Sequence, residues 1–292
     1  EMQDASTQMR KRGREKGYVV VQPNANPRPP LSSWDKGGGN DEVVFQMLQR
    51  AMRVWHLDPK RVHMSGFSQG GNMTWRMLCK HAETFASVAP AAFDGGCTFE
   101  GGDAPSREVP TLYMHGSEDG LVPFAGALAQ RDRVVAAWKM DAATQIAGDA
   151  SFVRTRHVSP SGTPFEFLTH GYVVKEKCLV LDIKGHCFPG STDPGTAMGQ
   201  ACSFACPPPS GFDWGAEVMA FFEAHPQKLG RVARTVTSLV PQTVSDGSCS
   251  ARMLLVPREA ATYIAQYDFF EAGKCSLRCL EQQPDGELSP CK

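Results

Sequence analysis

The residues best suited to chemistry are a serine and its neighbours, Gly66-Phe67-Ser68-Gln69-Gly70. A serine hydroxyl is a poor nucleophile at neutral pH, and it becomes effective when a sharp turn presents it to a histidine that takes its proton. Glycines at both ends of the pentapeptide permit such a turn, because a side chain there would collide with the adjoining strand or helix. We therefore predict a nucleophilic Ser68, with the N–H of Gln69 as one oxyanion donor at the start of the following helix.

Two later loops contain the acid and the base that this serine requires. When the nucleophile lies at a strand-to-helix corner, the acid and then the histidine follow it in chain order. Asp119 directly follows one predicted strand, with Glu118 as the alternative acid, and His186 directly follows another. His115 also lies at the end of a strand, but it precedes the acid and would break this order. We therefore predict His186 as the base and keep His115 as the alternative.

Alternating strand-like and helical segments must position these three side chains. The strand-like segments are 18–22, 61–65, 87–91, 110–114, 165–169 and 178–183, and the helical segments are 3–16, 41–55, 69–80, 124–140 and 214–223. This alternation is typical of α/β proteins, in which helices cover both faces of a mainly parallel sheet. The periodicity of the second helix predicts five inward-facing side chains, Val43, Val44, Met47, Leu48 and Met52.

Length and composition indicate one large domain with a smaller appendage. The chain has 292 residues, of which 41% are hydrophobic and 21% charged, as is ordinary for a folded globular protein. We expect an α/β domain over 1–225 and a cysteine-rich extension over 226–292. The apolar runs of the extension, 253–256 and 263–270, are too short for an independent core, so crosslinks or docking must stabilise it. The chain begins at Glu1 and not at a methionine, so we also expect a processed or trimmed product.

The charge balance argues against two classes of partner. Thirty basic and 31 acidic residues leave a formal net charge of −1, which provides no attraction for nucleic acid or an anionic membrane surface. No apolar run approaches the ~20 residues that span a bilayer. Small or neutral substrates are favoured, and the sequence does not indicate an oligomeric state.

Ten cysteines, eight of them after residue 170, indicate disulfides and therefore a secreted protein. The alternative is a zinc site, because Cys202 and Cys206, and likewise Cys275 and Cys279, are closely spaced. No neighbouring CxxC or CxxxH pattern completes a set of four ligands, so disulfides are the preferred interpretation and no metal is predicted.

Several motifs resemble those of one enzyme family. The segments 58–62 and 66–73 resemble the nucleophile region of extracellular polyhydroxybutyrate depolymerases and related feruloyl and acetylxylan esterases, and the similarity extends in order through 40–45, 85–90, His115-Gly116 with Asp119, Val122-Pro123 and 185–190. It covers about residues 15 to 225. The resemblance implies a secreted α/β-hydrolase without metal or organic cofactor, in which Ser68, Asp119 and His186 are nucleophile, acid and base.

The chain departs from this family at two points. The family carries a His-Gly segment, the source of a second oxyanion donor, on a strand upstream of the position of Tyr18, and this chain shows none before that residue. We expect truncation or divergence, with a replacement strand at 253–256 as the alternative. Phe188 stands where the family often has tryptophan, and it either contacts the apolar part of an ester or only packs. Trp34 is likewise either part of the cleft rim or an anchoring aromatic.

The triad alone does not name a substrate. The resemblance implies a carboxylic ester, either a hydroxyalkanoate-type polyester or a feruloyl or acetyl ester of a polysaccharide, so the partner includes insoluble polymers. The alternatives are a carboxylesterase or acyl thioesterase for small substrates, and a module that binds an ester or polysaccharide without cleaving it. The extension over 226–292 is a candidate tether to an insoluble polymer.

Overall fold

The computed structural model describes residues 2–28, 31–34, 39–55, 57–175, 181–192 and 203–227. Beyond residue 255 it describes only the backbone of four strands. The chain divides into two compact units, residues 1–228 and 229–292. In the first unit the strands are β1 (Asn26–Arg28), β2 (Leu31–Ser33), β3 (His63–Phe67), β4 (Ser87–Ala91), β5 (Thr111–Gly116), β6 (Thr144–Gly148), β7 (Phe152–Val158) and β8 (Pro164–His170). Its helices are α1 (Met2–Thr7), α2 (Met9–Glu15), α3 (Asp41–Val54), α4 (Gln69–His81), α5 (Phe124–Ala137) and α6 (Trp214–Ala224).

A six-stranded mixed sheet in the order β3-β4-β5-β8-β7-β6 forms the centre of the first unit. The first four strands run parallel, and β7 and β6 are antiparallel to their neighbours. Strands β4 and β5 are buried along their whole length, as expected for parallel strands that helices cover on both faces. The predicted α/β class with a mainly parallel sheet is confirmed.

Alternate residues of the central strands enter two different cores. Leu112 and Met114 of β5 pack with α2 and α6 on one face, whereas Tyr113 packs with α4 and α5 on the other. This twofold alternation is the normal geometry of a strand, and it fixes which loop residues leave the sheet on which side. The parallel strands therefore deliver the loops after β3 and β5 to the same edge.

Most predicted elements are present within a few residues of their expected bounds, but some predictions are wrong. Residues 18–22 are not a strand, and the antiparallel strands β6 and β7 were not predicted. On α3, Val43 and Met47 are 48% and 46% exposed, so these two of the five predicted inward-facing side chains face outward. The predicted strand over 178–183 lies in part outside the described residues. Lys184, directly after this range, forms isolated β-bridges with Asp119 and Val174 rather than a continuous ladder.

The second unit contains an antiparallel sheet of four strands in the order β12-β11-β10-β9. These are β9 (Val256–Arg258), β10 (Ala261–Phe270), β11 (Lys274–Gln282) and β12 (Leu288–Pro290). The long pair β10 and β11 runs from Thr262 opposite Gln282 to Phe270 opposite Lys274. Of the replacement strand predicted at 253–256, all but Val256 lies outside the described residues. Among the helices that the structure describes, none has the length and apolar character of a membrane span.

Candidate active site

Ser68 occupies a strained corner between β3 and α4. Its backbone has φ 55° and ψ −120°, a conformation that residues other than glycine rarely adopt. The Ser68 N–H donates to the carbonyl oxygen of Ala91 at 2.9 Å, which ties the corner to the end of β4. A serine at the corner between a parallel strand and the next helix is the arrangement of an α/β-hydrolase. Strain of this kind persists only where surrounding contacts enforce it, and it is concentrated at functional sites.

Two glycines make the tight corner possible. A Cβ on Gly66 would collide with the carbonyl group of Gly70 and lie 2.8 Å from Thr74 Oγ1, and a Cβ on Gly71 would collide with the carbonyl oxygen of Ala91. The need for a small residue at Gly66 was predicted. The close approach of Gly71 to β4 was not, because it depends on a strand that lies about twenty residues further along the chain.

Asp119 is a buried carboxylate with several donors. Its Oδ1 accepts hydrogen bonds from the N–H groups of Leu121 and Val122, both at 2.8 Å, and its Oδ2 accepts one from His186 Nδ1 at 2.7 Å. Its side chain has no exposed surface. Because a buried charge is stable only when it is paired and hydrogen-bonded, this environment suits an ionised Asp119 that orients an imidazole.

His186 is held against Asp119 by its own loop. The N–H of Gly185 donates to the Glu118 carbonyl oxygen at 2.9 Å, and the backbones of Lys184 and Asp119 pair in an isolated antiparallel β-bridge. Because Nδ1 faces the carboxylate, Nε2 is the nitrogen left for proton transfer. Nε2 is buried and forms no hydrogen bond with any described residue, and so none with Ser68 Oγ.

The imidazole of His186 lies beside the serine corner. Its ring is 4.8 Å from that of Phe67, the residue before Ser68. The structure therefore brings Asp119 and His186 into direct contact and places the His186 ring beside Phe67, without a hydrogen bond from His186 to Ser68. Catalytic hydrogen bonds are often long in free enzymes and tighten in the substrate complex.

His115, the alternative base, also adjoins Asp119 but is otherwise engaged. Its side chain is fully buried, and Nε2 lies 3.0 Å from the Val122 carbonyl oxygen and 3.5 Å from Asp119 Oδ2. Burial lowers its pKa, which favours the neutral ring. With Nε2 directed at a carbonyl, His115 is poorly placed to receive a proton from Ser68.

Gln69 and Trp34 are in contact. The Trp34 backbone N–H donates to Gln69 Oε1 at 3.0 Å, and the half-buried indole packs against the core on the α4 side of the sheet. The Gln69 N–H belongs to the first turn of α4, where N–H groups lack partners within the helix, which is what an oxyanion donor requires. The side chain of Gln69, by accepting the Trp34 N–H, anchors the segment that carries Trp34.

Phe188 is fully buried. Its ring stacks on Phe67 at 3.9 Å, and its N–H donates to the carbonyl oxygen of Phe204 at 2.6 Å. This burial favours the packing role that the sequence left open, and it places Phe188 behind the serine corner instead of on a substrate surface.

Two disulfides lie within the described residues, Cys79–Cys97 and Cys187–Cys206. The second begins at the residue directly after His186. The zinc alternative at Cys202 and Cys206 is therefore wrong, because the Cys206 sulfur is bonded to Cys187. The side chains of Cys275 and Cys279 lie outside the described residues. A buried trio of His170, Cys187 and Cys206 has ligand-type spacing, but the disulfide removes two of its thiolates.

A cavity of about 340 Å³ opens beside β3. Side chains of α3 and α6 and the segment 18–23 line it, but Ser68, Asp119 and His186 do not. Gly70, two residues after Ser68, and Trp34 also line the cavity, so it reaches the serine corner, but we assign no substrate to it.

The chain is similar to several named esterases over roughly a third to two fifths of its length. No family model matches it. It is 32% identical over 109 residues to the bifunctional acetylxylan esterase/xylanase XynS20E of Neocallimastix patriciarum, which is 37% of this chain and 16% of that protein. It is 30% identical over 134 residues to feruloyl esterase B of Piromyces equi, 44% of this chain and 25% of the relative. It is 27% identical over 110 residues to a probable feruloyl esterase C of Aspergillus clavatus, which is 37% of this chain and 39% of that protein.

Two solved structures show a partial likeness to this chain. Acetyl xylan esterase from Aspergillus awamori superposes with a TM-score of 0.40 at 14% identity, covering 59% of this chain and 74% of that one. Arabidopsis thaliana SOBER1 gives a TM-score of 0.39 at 18% identity, covering 45% of this chain and 78% of that one. The matches to curated relatives span well under half of each relative's length. The sequence similarities confirm the predicted resemblance to feruloyl and acetylxylan esterases.

Proposed function

We propose that this chain is a carboxylic ester hydrolase that works by acyl transfer, with Ser68 as nucleophile, His186 as base and Asp119 as the acid that orients it. The observation that carries the proposal is the 2.7 Å hydrogen bond between the buried Asp119 and His186 beside a strained serine corner. Relatives named as esterases support the same reaction class.

In this proposal each group has a defined task. Asp119 binds the Nδ1–H of His186, which leaves a lone pair on Nε2 to accept the proton of Ser68 as its oxygen attacks the ester carbonyl. The imidazolium then protonates the leaving alcohol. Water, activated by the same Nε2, hydrolyses the acyl-enzyme and restores Ser68. The N–H of Gln69 stabilises the oxyanion of each tetrahedral intermediate.

For the substrate we propose a feruloyl or acetyl ester of a plant-type polysaccharide, ahead of a hydroxyalkanoate polyester. The names of the relatives support this order. We also propose secretion, which the two described disulfides support, and a role for the cysteine-rich part over 226–292 in tethering the α/β domain to insoluble polymer.

The test compares hydrolysis of acetylated xylan, methyl ferulate, a polyhydroxybutyrate suspension, and short and long p-nitrophenyl esters by the chain and by Ser68→Ala. We expect turnover of at least one carbohydrate-type ester, its loss in Ser68→Ala, and covalent labelling of Ser68 by a fluorophosphonate. A chain that neither labels nor hydrolyses any of these esters would be a binding module. Preference for short p-nitrophenyl esters alone would favour the small-substrate carboxylesterase.

A further inference from the structure

A second histidine, His115, lies 3.5 Å from the same carboxylate oxygen of Asp119 that bonds His186. His115 is the penultimate residue of β5 and has no exposed side-chain surface. Its Nε2 faces two oxygens, the Val122 carbonyl at 3.0 Å and Asp119 Oδ2 at 3.5 Å. On the other side of the ring, Nδ1 lies 3.3 Å from the hydroxyl of Tyr113, whose hydrogen bond to the Phe93 carbonyl oxygen is shorter, at 2.7 Å.

The surroundings decide where the single proton of the His115 ring lies. Carbonyl and carboxylate oxygens only accept hydrogen bonds, so Nε2 must be the donor. Burial lowers the pKa of this ring, so Nδ1 stays unprotonated and the side chain is neutral. The other ionisable groups that influence it are Asp119, His186 and Asp94. His115 is thus a fixed N–H donor and not a second base.

The bond to Val122 closes the turn that holds the acid. Val122 donates its N–H to Asp119 Oδ1 while its C=O accepts from His115. Leu121 adds a second N–H to the same Oδ1. With Oδ1 fixed by the turn, only Oδ2 remains for His186, so the orientation of the carboxylate depends on the turn staying closed. His115 is the side chain that joins the end of this turn to the sheet.

We propose that His115 is a positioning residue for the acid: its Nε2–H holds the turn over 116–122 closed and thereby aims Asp119 Oδ2 at His186. The inference rests on the proposed function for its effect on turnover, but the structural part is independent of it.

The experiment uses the full chain, three histidine variants and Asp119→Asn. His115→Leu removes the donor, and His115→Gln restores an amide N–H near the position of Nε2. His157→Leu is the matched control, because His157 is also buried in the sheet, with 7% exposure, and its ring bonds the backbone carbonyl of Asp141 at 2.8 Å. The readouts are kcat and KM against pH, and the far-downfield proton resonance of an imidazole N–H bonded to a carboxylate, assigned by its loss in Asp119→Asn.

In His115→Leu we expect kcat to fall about 10- to 100-fold with KM unchanged, as a small misplacement of a catalytic group can produce. The downfield resonance should weaken or shift, and the pH midpoint of the acid limb should fall, because a loosened carboxylate supports the imidazolium less well. His115→Gln should recover most of the activity and the resonance, and His157→Leu should keep both.

Two results would overturn the inference. One is a His115→Leu protein with unchanged kcat, pH profile and resonance. The other is a loss of kcat in His115→Gln and His157→Leu that equals the loss in His115→Leu, which would show a general packing effect. A wild-type chain that shows the resonance but hydrolyses no ester would refute the proposed function instead, and the resonance in the variants would still decide the role of His115.

Discussion

At the scale of single residues, the surroundings of Asp119 distinguish it from its neighbour Glu118. The sequence offered both as the acid, since both follow the same strand. The Glu118 side chain is exposed, and that residue contributes only its backbone carbonyl to the His186 loop. Asp119 is buried with a donor on each oxygen, so of the two carboxylates it alone can orient a buried ring.

Replacing Asp119 by asparagine should therefore disable the site without unfolding it. The amide keeps the shape of the carboxylate but stabilises the wrong tautomer of His186 and cannot stabilise the imidazolium. We expect kcat to fall on the order of 10⁴-fold. Steady-state hydrolysis of a p-nitrophenyl ester measures this, with Glu118→Gln as the control that stays near wild type. Equal effects of the two changes would contradict the assignment.

Local sequence reveals Ser68 and its corner, because the glycines, the preceding strand and the following helix are all adjacent in the chain. It could not decide the role of Phe188, because stacking on Phe67 and complete burial result from a loop that returns from more than a hundred residues away. The supporting role of His115 was hidden for a similar reason. Its position suggested a rival base, and only its contact with the Val122 carbonyl shows a donor.

At the scale of elements, the β3-to-α4 crossing depends on Gly66. A Cβ at this position meets the backbone of Gly70, which cannot move without displacing the first turn of α4. We expect Gly66→Ala to lower the free energy of unfolding by about 1–3 kcal/mol. Gly102→Ala is the control, since nothing lies within 4 Å of its Cβ position. Urea unfolding of both variants provides the comparison, and equal stability would argue against a crowded crossing.

The two described disulfides form a matched pair for separating stability from positioning. Cys79–Cys97 and Cys187–Cys206 close loops of nearly equal length, with sequence separations of 18 and 19. Chain-entropy arguments give each about 3 kcal/mol. Double alanine replacement should thus destabilise both proteins similarly. Only loss of Cys187–Cys206 should also lower kcat under conditions where both proteins are folded, because it releases the residue next to His186. The same kcat in both variants would contradict this.

The predicted elements failed where hydrogen-bond partners, and not side-chain type, decided the structure. Three consecutive valines, 19–21, have high β propensity, yet the segment they form pairs with no strand in the described part of the chain. Conversely, all five residues of β6 are exposed, so its sequence lacks the alternation of a half-buried strand. β6 forms because its backbone pairs with the free edge of β7 in an antiparallel ladder.

At the scale of the whole molecule, buried histidines make the fold sensitive to acid. Burial lowers the pKa of His63 to about 3 and that of His170 to about 4. In the unfolded chain both titrate near 6.5, so below that pH the unfolded state binds protons that the folded state does not. The free energy of unfolding should therefore fall as pH drops from 6.5 toward 4, by up to about 1.4 kcal/mol per pH unit for each residue.

Urea unfolding of wild type and His63→Gln across this pH range measures the effect. The variant removes one of the two groups, so its stability should depend less steeply on pH by about 1.4 kcal/mol per unit. Parallel curves would show that His63 is as readily protonated in the folded chain as in the unfolded one.

The positive φ of Ser68 connects chemistry with the durability of the whole chain. Glycine accepts that backbone conformation without penalty, whereas serine and alanine do not, at a cost of about 1–3 kcal/mol. Ser68→Gly should melt at a higher temperature than wild type and Ser68→Ala should not, as calorimetry would show. A laboratory screen that rewarded heat resistance alone would thus enrich inactive variants at this position, so any attempt to engineer a hardier catalyst has to select for turnover at the same time.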